Sequence, residues 1–309
     1  MFSVQSRDTL WVVADRRLSY KGRPPKDDAV KVVSLETDDG IGVLAYAGLG
    51  ATPRGTQPSE WMNAVLRGRG GLTFEQTLGA LAGVATKELP RHLAAIPNPS
   101  HRSHVIIAPA FIKGIGSRLY TIDYVIDPRT GRHQGSYRSH VRGDVPGSQS
   151  IRIAGAGSGA GYTSKKGEAW HRALRSLVRD HDLGKVSNDA IADQLAALNN
   201  EVREELAKKG DDSVGPRSVV VWRRRRDARQ RQMGDGQLFY TGTSRDRHMP
   251  GIPTIINGND LVALVRVFTE MVNRQVGGAD FHSIKINLDI DEMNRRLAAL
   301  PDTPDDKLR

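Results

Sequence analysis

A chain of 309 residues with 38% apolar side chains is long enough for one large domain or two smaller ones, and for a substantial core. The absence of cysteine excludes disulfides, thiolate metal sites and a cysteine nucleophile, and fits a reducing cytoplasm. The formal net charge of +10 suits an anionic partner or an arginine-rich solvated surface, but no helix-turn-helix, RNA-recognition signature or zinc finger accompanies it, so nucleic acid is not the expected partner.

The opening MFSVQSRD lacks the basic and apolar regions of a signal peptide. No apolar run approaches the ~20 residues that span a bilayer, so no membrane is expected. Phe2 to Gln5 and Leu10 to Ala14 read as strands joined by the polar turn Ser6-Arg7-Asp8. Lys21 to Asp28, rich in Pro, Gly and charge, reads as a loop. Val30 to Leu35 and Ile41 to Ala47 form a hairpin pattern around Asp38-Asp39-Gly40. A lysine within Val30-Lys31-Val32-Val33 either faces water from an edge strand or must be paired, lose its charge or snorkel, and Asp15 at the end of an earlier strand is its natural partner.

Pro58 to Leu66 suits a short helix. Thr73 and Gln76 form a capping box for a second, which Pro90 ends or kinks, with His92 to Ile96 as a last turn. Strands return at His104 to Ile112, Arg118 to Ile126 and Ser136 to Val141, with a turn at Pro128-Arg129-Thr130-Gly131. A short strand, Ser150 to Ala154, runs into a glycine-rich segment from Gly155 to Gly161. Helices follow at Glu168 to Arg179 and at Asn188 to Ala207, the latter with Ser187 as N-cap and one apolar face. Ser218 to Trp222 and Gln237 to Thr241 read as strands. The tail reads as a helix at Asp260 to Asn273, a strand at Ser283 to Leu288 and a helix at Asp291 to Leu300. Helices grouped between runs of antiparallel strands predict an α+β architecture with sheets inside and helices outside.

The glycine-rich segment also fits a dinucleotide fingerprint through Gly155, Gly157 and Ala160, but that needs an acid-ended strand about 20 residues on, where Trp170 to Asp180 is helical. A flexible turn is the plain alternative. No histidine pair has ligand spacing, and no P-loop is present. Arg223 to Arg226 reads as a solvated strand end, and as the best place for a polyanion if one binds.

The pattern VVAD-RR, then KV, then AYAG resembles the amino-terminal half of proteasome β-type subunits, including the bacterial HslV and Anbu branches, which are N-terminal nucleophile (Ntn) hydrolases. Asp15 and Arg17 match the A-A-D-x-R motif, and Lys31 matches the catalytic lysine at the family's own interval. Gly48 matches the glycine whose N–H helps form the oxyanion hole. Gly157-Ser158-Gly159 matches a G-S-G whose serine stands beside the nucleophile. Asp211 matches the aspartate of D-x-x-S-G, although Val214 occupies the serine's place.

The resemblance covers residues 1 to 226 and leaves 227 to 309 as an extension packing on or completing that unit. It implies a four-layer αββα sandwich, hydrolysis of peptide amides without a metal or organic cofactor, and a cytoplasmic homo-oligomer. In that mechanism an N-terminal hydroxyl attacks, Lys31 eases its deprotonation, Asp15 keeps Lys31 charged, and Ser158 and Asp211 order the α-amine and a water. The sequence begins Met1-Phe2-Ser3, so the nucleophile is expected to be missing from the chain as written, or to be Ser3 after cleavage; the alternative is a non-catalytic scaffold or binding subunit with a basic surface.

Overall fold

The computed structural model describes residues 1–20, 23–48, 56–94, 104–126, 133–142, 151–226, 234–247, 251–276 and 289–299. β1 (Phe2–Gln5), β2 (Thr9–Asp15), β10 (Arg152–Gly155), β11 (Arg217–Arg224), β12 (Gly236–Thr241) and β13 (Ser244–Asp246) make one antiparallel sheet in the order β10-β1-β2-β11-β12-β13. A second sheet runs β15-β14-β5-β6-β7-β8-β9, from β5 (Val32–Glu36), β6 (Gly40–Ala47), β7 (Val105–Ile112), β8 (Gly116–Ile126), β9 (His133–Arg142), β14 (Thr254–Ile256) and β15 (Asn259–Asp260). Among the described residues its one parallel pairing is β14 with β5.

The central strands are apolar on both faces because both are covered. From β2, Leu10, Val12 and Ala14 meet Val32, Ile41, Val43 and Phe111 between the sheets. Trp11 and Val13 point the other way, into a core with Ile191, Leu195 and Val202. Helices α3 (Ala160–Asp182) and α4 (Asn188–Ala207) cover that outer face. On the opposite side α1 (Pro58–Leu66) and α2 (Phe74–Ala94) cover the second sheet, where Met62, Phe74, Leu78 and Leu81 pack on Val33, Leu44 and Ile106. The result is the expected αββα order of layers. Residues beyond 226 supply strands to both sheets, β12 beside β11 and β14 beside β5, and two further helices, α5 (Leu261–Val276) and α6 (Ile290–Ala298).

Several expectations change. The Lys21–Asp28 loop gives way at β3 (Leu18–Tyr20) and β4 (Arg23–Lys26), a separate hairpin. Its pairs are Leu18 with Lys26 and Tyr20 with Arg23, which leaves Pro24 and Pro25 out of the ladder, where a missing N–H does no harm. Pro90 does not end α2, which continues to Ala94. Helix α3 starts at Ala160 rather than near Glu168. The glycine run is therefore not a slack loop. A Cβ at Gly159 would lie 2.9 Å from Val202 Cγ1 and 3.3 Å from the Phe2 ring, so glycine permits the close seating of α3. The dinucleotide reading also fails on topology, because β10 lies antiparallel to β1 at a sheet edge rather than in a parallel βαβ unit. Ser187 caps α4 as expected, its hydroxyl accepting from Ala190 N–H at 3.3 Å. The turn at 128–131, the strand at 283–288 and the end of the turn at 92–96 fall outside the described residues. Among the described residues no helix is long and apolar enough to cross a membrane.

Candidate active site

The ends of β2, β5 and β6 meet the start of β1 at one end of the sandwich. Asp15 is the last residue of β2. Lys31 stands just before β5, and its carbonyl accepts from Tyr46 N–H at 2.9 Å, which prolongs the ladder between β5 and β6 by one residue. Lys31 Nζ lies 2.9 Å from Asp15 Oδ1, with the two side chains only 13% and 12% exposed. Of the two sequence readings of this lysine, the paired one holds.

Burial by itself would raise the Asp15 pKa. The charge of Lys31, the charge of the terminal amine, and hydrogen bonds from Lys31 Nζ and Arg17 N–H outweigh it and hold the carboxyl below its ordinary value. The α-amine of Met1 completes the charge cluster. It donates to the Ala156 carbonyl at 3.1 Å, and Ala156 N–H donates back to the Met1 carbonyl at 3.1 Å, so β1 and β10 stay paired beyond their formal ends. Its pKa falls to about 6, first through burial and then through the Lys31 charge, with Asp15 opposing.

Gly48 and Ser158 come to the same end through their chain neighbours, Ala47 and Gly157. Gly157 has φ +81°, and a Cβ there would approach Ala47 Cβ at 3.1 Å, so the turn after β10 lies against the end of β6. Gly48 follows with φ +147°, a conformation that favours glycine. Ser158 is exposed on the turn that leads into α3. Among the described residues no hydrogen bond joins Ser158 or Gly48 to the Asp15–Lys31 pair.

Asp211 and Ser3 are placed differently. Asp211 closes the loop after α4, its Oδ1 accepting from Ser213 N–H at 2.9 Å and its own N–H donating to Leu206 O at 3.0 Å. Among the described residues the buried Ser213 hydroxyl has no partner, and Val214 is buried where the resemblance expects a serine. Ser3 lies inside β1, paired with Val12 on one side and Ala154 on the other, and is 3% exposed. Cleavage that freed it would strip Phe2 from its seat against Gly155 and Gly159. Ser3 is thus a ladder residue in this fold, not a free head group.

Sequence reasoning missed the partners of Arg17. Its guanidinium pairs with Asp27 and Asp212 rather than with Asp15. It also misread Arg223–Arg226. Arg223 is buried, joins Glu36 and Asp235, and reaches the Ser34 hydroxyl on the other sheet. Arg226 joins the same two carboxylates. These two guanidinium groups are paired with protein carboxylates, so Arg223 is a buried sheet-to-sheet contact rather than part of a solvated strand end.

No protein-family model matches the chain, and no curated protein matches it. Among solved structures it is similar to Anbu, the ancestral β-subunit, from Yersinia bercovieri at 15% identity, over 72% of this chain and 81% of that one, with a TM-score of 0.41. It is similar to Anbu from Hyphomicrobium sp. strain MC1 at 13% identity, over 93% and 100% of the two chains, with a TM-score of 0.39. A helical assembly of the Anbu complex from Pseudomonas aeruginosa matches at 12% identity, over 94% and 98%, with a TM-score of 0.45.

Proposed function

We propose that this end of the sandwich is the active site of a proteasome-like Ntn hydrolase that cleaves peptide amides. The observation that carries the reading is the nearly closed Lys31–Asp15 ion pair, 2.9 Å long, at the end of the sandwich where β1 begins. In that reading the α-amine beside a terminal hydroxyl accepts its proton, and the Lys31 side chain, fixed by the pair, stabilises the alkoxide that forms on attack. Asp15 holds Lys31 Nζ in place through that ion pair. Gly48 N–H is assigned to the oxyanion of the tetrahedral intermediate. Ser158 and Asp211 are assigned to ordering the amine and the hydrolytic water. The catalytic unit is taken as residues 1 to 226, completed by 227 to 309. The resemblance adds a cytoplasmic setting, self-association and a peptide or protein substrate.

The reading assigns the attacking hydroxyl to a Thr or Ser exposed at the head of β1. The test compares the chain beginning at Met1 with a version carrying an exposed Thr ahead of Met1, on peptide-amide substrates, with mass spectrometry of the amino terminus. Hydrolysis by the Thr version, lost on Lys31→Ala, is the expected result. Equal hydrolysis by the chain that still begins at Met1 would place the nucleophile elsewhere.

A second reading, a non-catalytic scaffold, is favoured by one observation. The Met1 side chain is 6% exposed and packs between the sheets with Leu10, Val12 and Val219. An inert Thr version with a correctly exposed terminus selects that reading.

A further inference from the structure

Two neighbouring arginines leave the end of β2 in different ways. Arg16 closes the root of the β3–β4 hairpin with backbone partners. Its N–H donates to Arg217 O at 2.8 Å, its carbonyl accepts from Ala29 N–H at 3.0 Å, and its guanidinium donates to Ala29 O at 3.1 Å and Asp28 O at 2.7 Å. Arg17 instead reaches three separate segments. Nε and Nη2 donate to the two oxygens of Asp27 at 2.7 and 2.9 Å. Nη1 donates to the Asp212 carbonyl at 3.0 Å and to its carboxylate. Its own N–H donates to Asp15 Oδ1 at 3.0 Å, the oxygen that also takes Lys31 Nζ.

Space around this fork is closed. A Cβ at Gly215 would lie 2.8 Å from Arg17 Cβ and would collide with Asp27 Oδ1. The Arg17 side chain is 10% exposed, and the hydrogen bond to Asp27 more than offsets its burial in holding it charged, with Asp212 adding to the effect. A planar guanidinium can engage two carboxylates in fixed directions at once, whereas a lysine supplies one rotating point charge.

We propose that Arg17 is the positioning residue of the Asp15–Lys31 pair. By tying Asp27 at the hairpin root to the 211–215 loop, it fixes its own backbone, and its N–H then aims the Asp15 carboxylate at Lys31. Its part in catalysis rests on the hydrolase reading above; the positioning itself is measurable without turnover. Because Arg16 closes the hairpin root independently, the fork can be altered while the root stays shut.

The experiment uses the full chain and acetic anhydride, which acylates only neutral amines. The acetylation rate of Lys31 is followed by mass spectrometry at one pH, about 8, in parent and variants alike. Arg17→Lys removes the fork and keeps the charge; Gly215→Ala displaces the fork and removes nothing. Both should raise the Lys31 rate at least ~5-fold, since a loosened carboxylate leaves Lys31 Nζ out of its 2.9 Å contact and open to the reagent part of the time, while Lys113 and Lys185 keep their parent rates. In the Thr version both should lower kcat on the order of 10- to 100-fold with a smaller change in KM, as for a slightly misplaced catalytic group. Parent-like Lys31 rates in folded Arg17→Lys and Gly215→Ala chains would overturn the proposal. Should either fail to fold, Asp212→Asn, at an exposed carboxylate, takes its place under the same two outcomes. A shifted Lys31 rate in a chain that never hydrolyses upholds the positioning and removes only the hydrolase reading.

Discussion

Lys31 Nζ and Asp15 Oδ1, 2.9 Å apart, join the residue just before β5 to the last residue of β2, in different sheets. Each charge is shut away from solvent by the contact that neutralises it, so removing one partner strands the other. Lys31→Met and Asp15→Asn should each destabilise the chain by about 3 kcal/mol at pH 7, and the double variant should recover much of that loss. Urea unfolding of the four chains checks it; strictly additive losses would mean that the two groups do not depend on each other.

The same cluster sets two pH limbs. Asp15 has a lowered folded-state pKa, so its contribution is present above the ordinary carboxylate value near 3.9 and is lost as pH falls through the lower folded value. The Met1 amine works in the other window. With its pKa near 6 in the fold and 8.0 without it, the unfolded chain binds more protons between those values, so stability rises as pH goes from 6 to 8. For this buried amine the gain is on the order of 2–3 kcal/mol. Urea midpoints across that interval should climb in the parent and flatten when the amine is acetylated.

Gly157 offers a test of geometry rather than charge. Its φ of +81° and its 3.1 Å clearance to Ala47 mean that an alanine there is strained twice. Gly157→Ala should cost about 1–2 kcal/mol. In the Thr version it should also cut kcat, because the displaced turn moves Ser158 and the end of β6. A thermal melt beside a kinetic assay separates the two effects; unchanged kcat would detach this turn from the site.

What the sequence could reveal follows from the range of each interaction. A lysine set among valines has few ways to exist, and its pairing with Asp15 was legible for that reason. The apolar face of α4 and its Ser187 cap depend on residues within a few turns, and both were legible. The β3–β4 hairpin was hidden because prolines argue against strands, and they are harmless only where the ladder skips them. Strands β13, β14 and β15 have two or three residues each, too few for any period to show. The Arg17 fork was invisible because its two acids lie 10 and 195 residues away. The four-arginine run misled because it was read as a block. On a strand successive side chains alternate, and Arg223 shares the inward parity of Val219 and Val221.

That buried arginine supplies a contrast with the active end. Ser218 stands opposite Asp15 in the β2–β11 ladder and Arg223 opposite Leu10, five residues further along, which is about 17 Å at strand spacing. Arg223 there ties β11 to Ser34 and Glu36 of the other sheet and to Asp235. Its burial lowers its pKa, with Asp235 and Glu36 opposing, so it is a structural clasp between the sheets. Arg223→Met leaves Glu36 and Asp235 with Arg226 as a remaining partner, and should cost about 2–3 kcal/mol, toward the lower end for a broken buried pair. At that distance from Lys31 the substitution should leave the Lys31 acetylation rate, and kcat in the Thr version, within about 2-fold of the parent below the melting transition. Equal stability loss with a large change at Lys31 would show that the two ends of the sandwich are mechanically coupled, and that the site depends on the spacing of the sheets along their whole length.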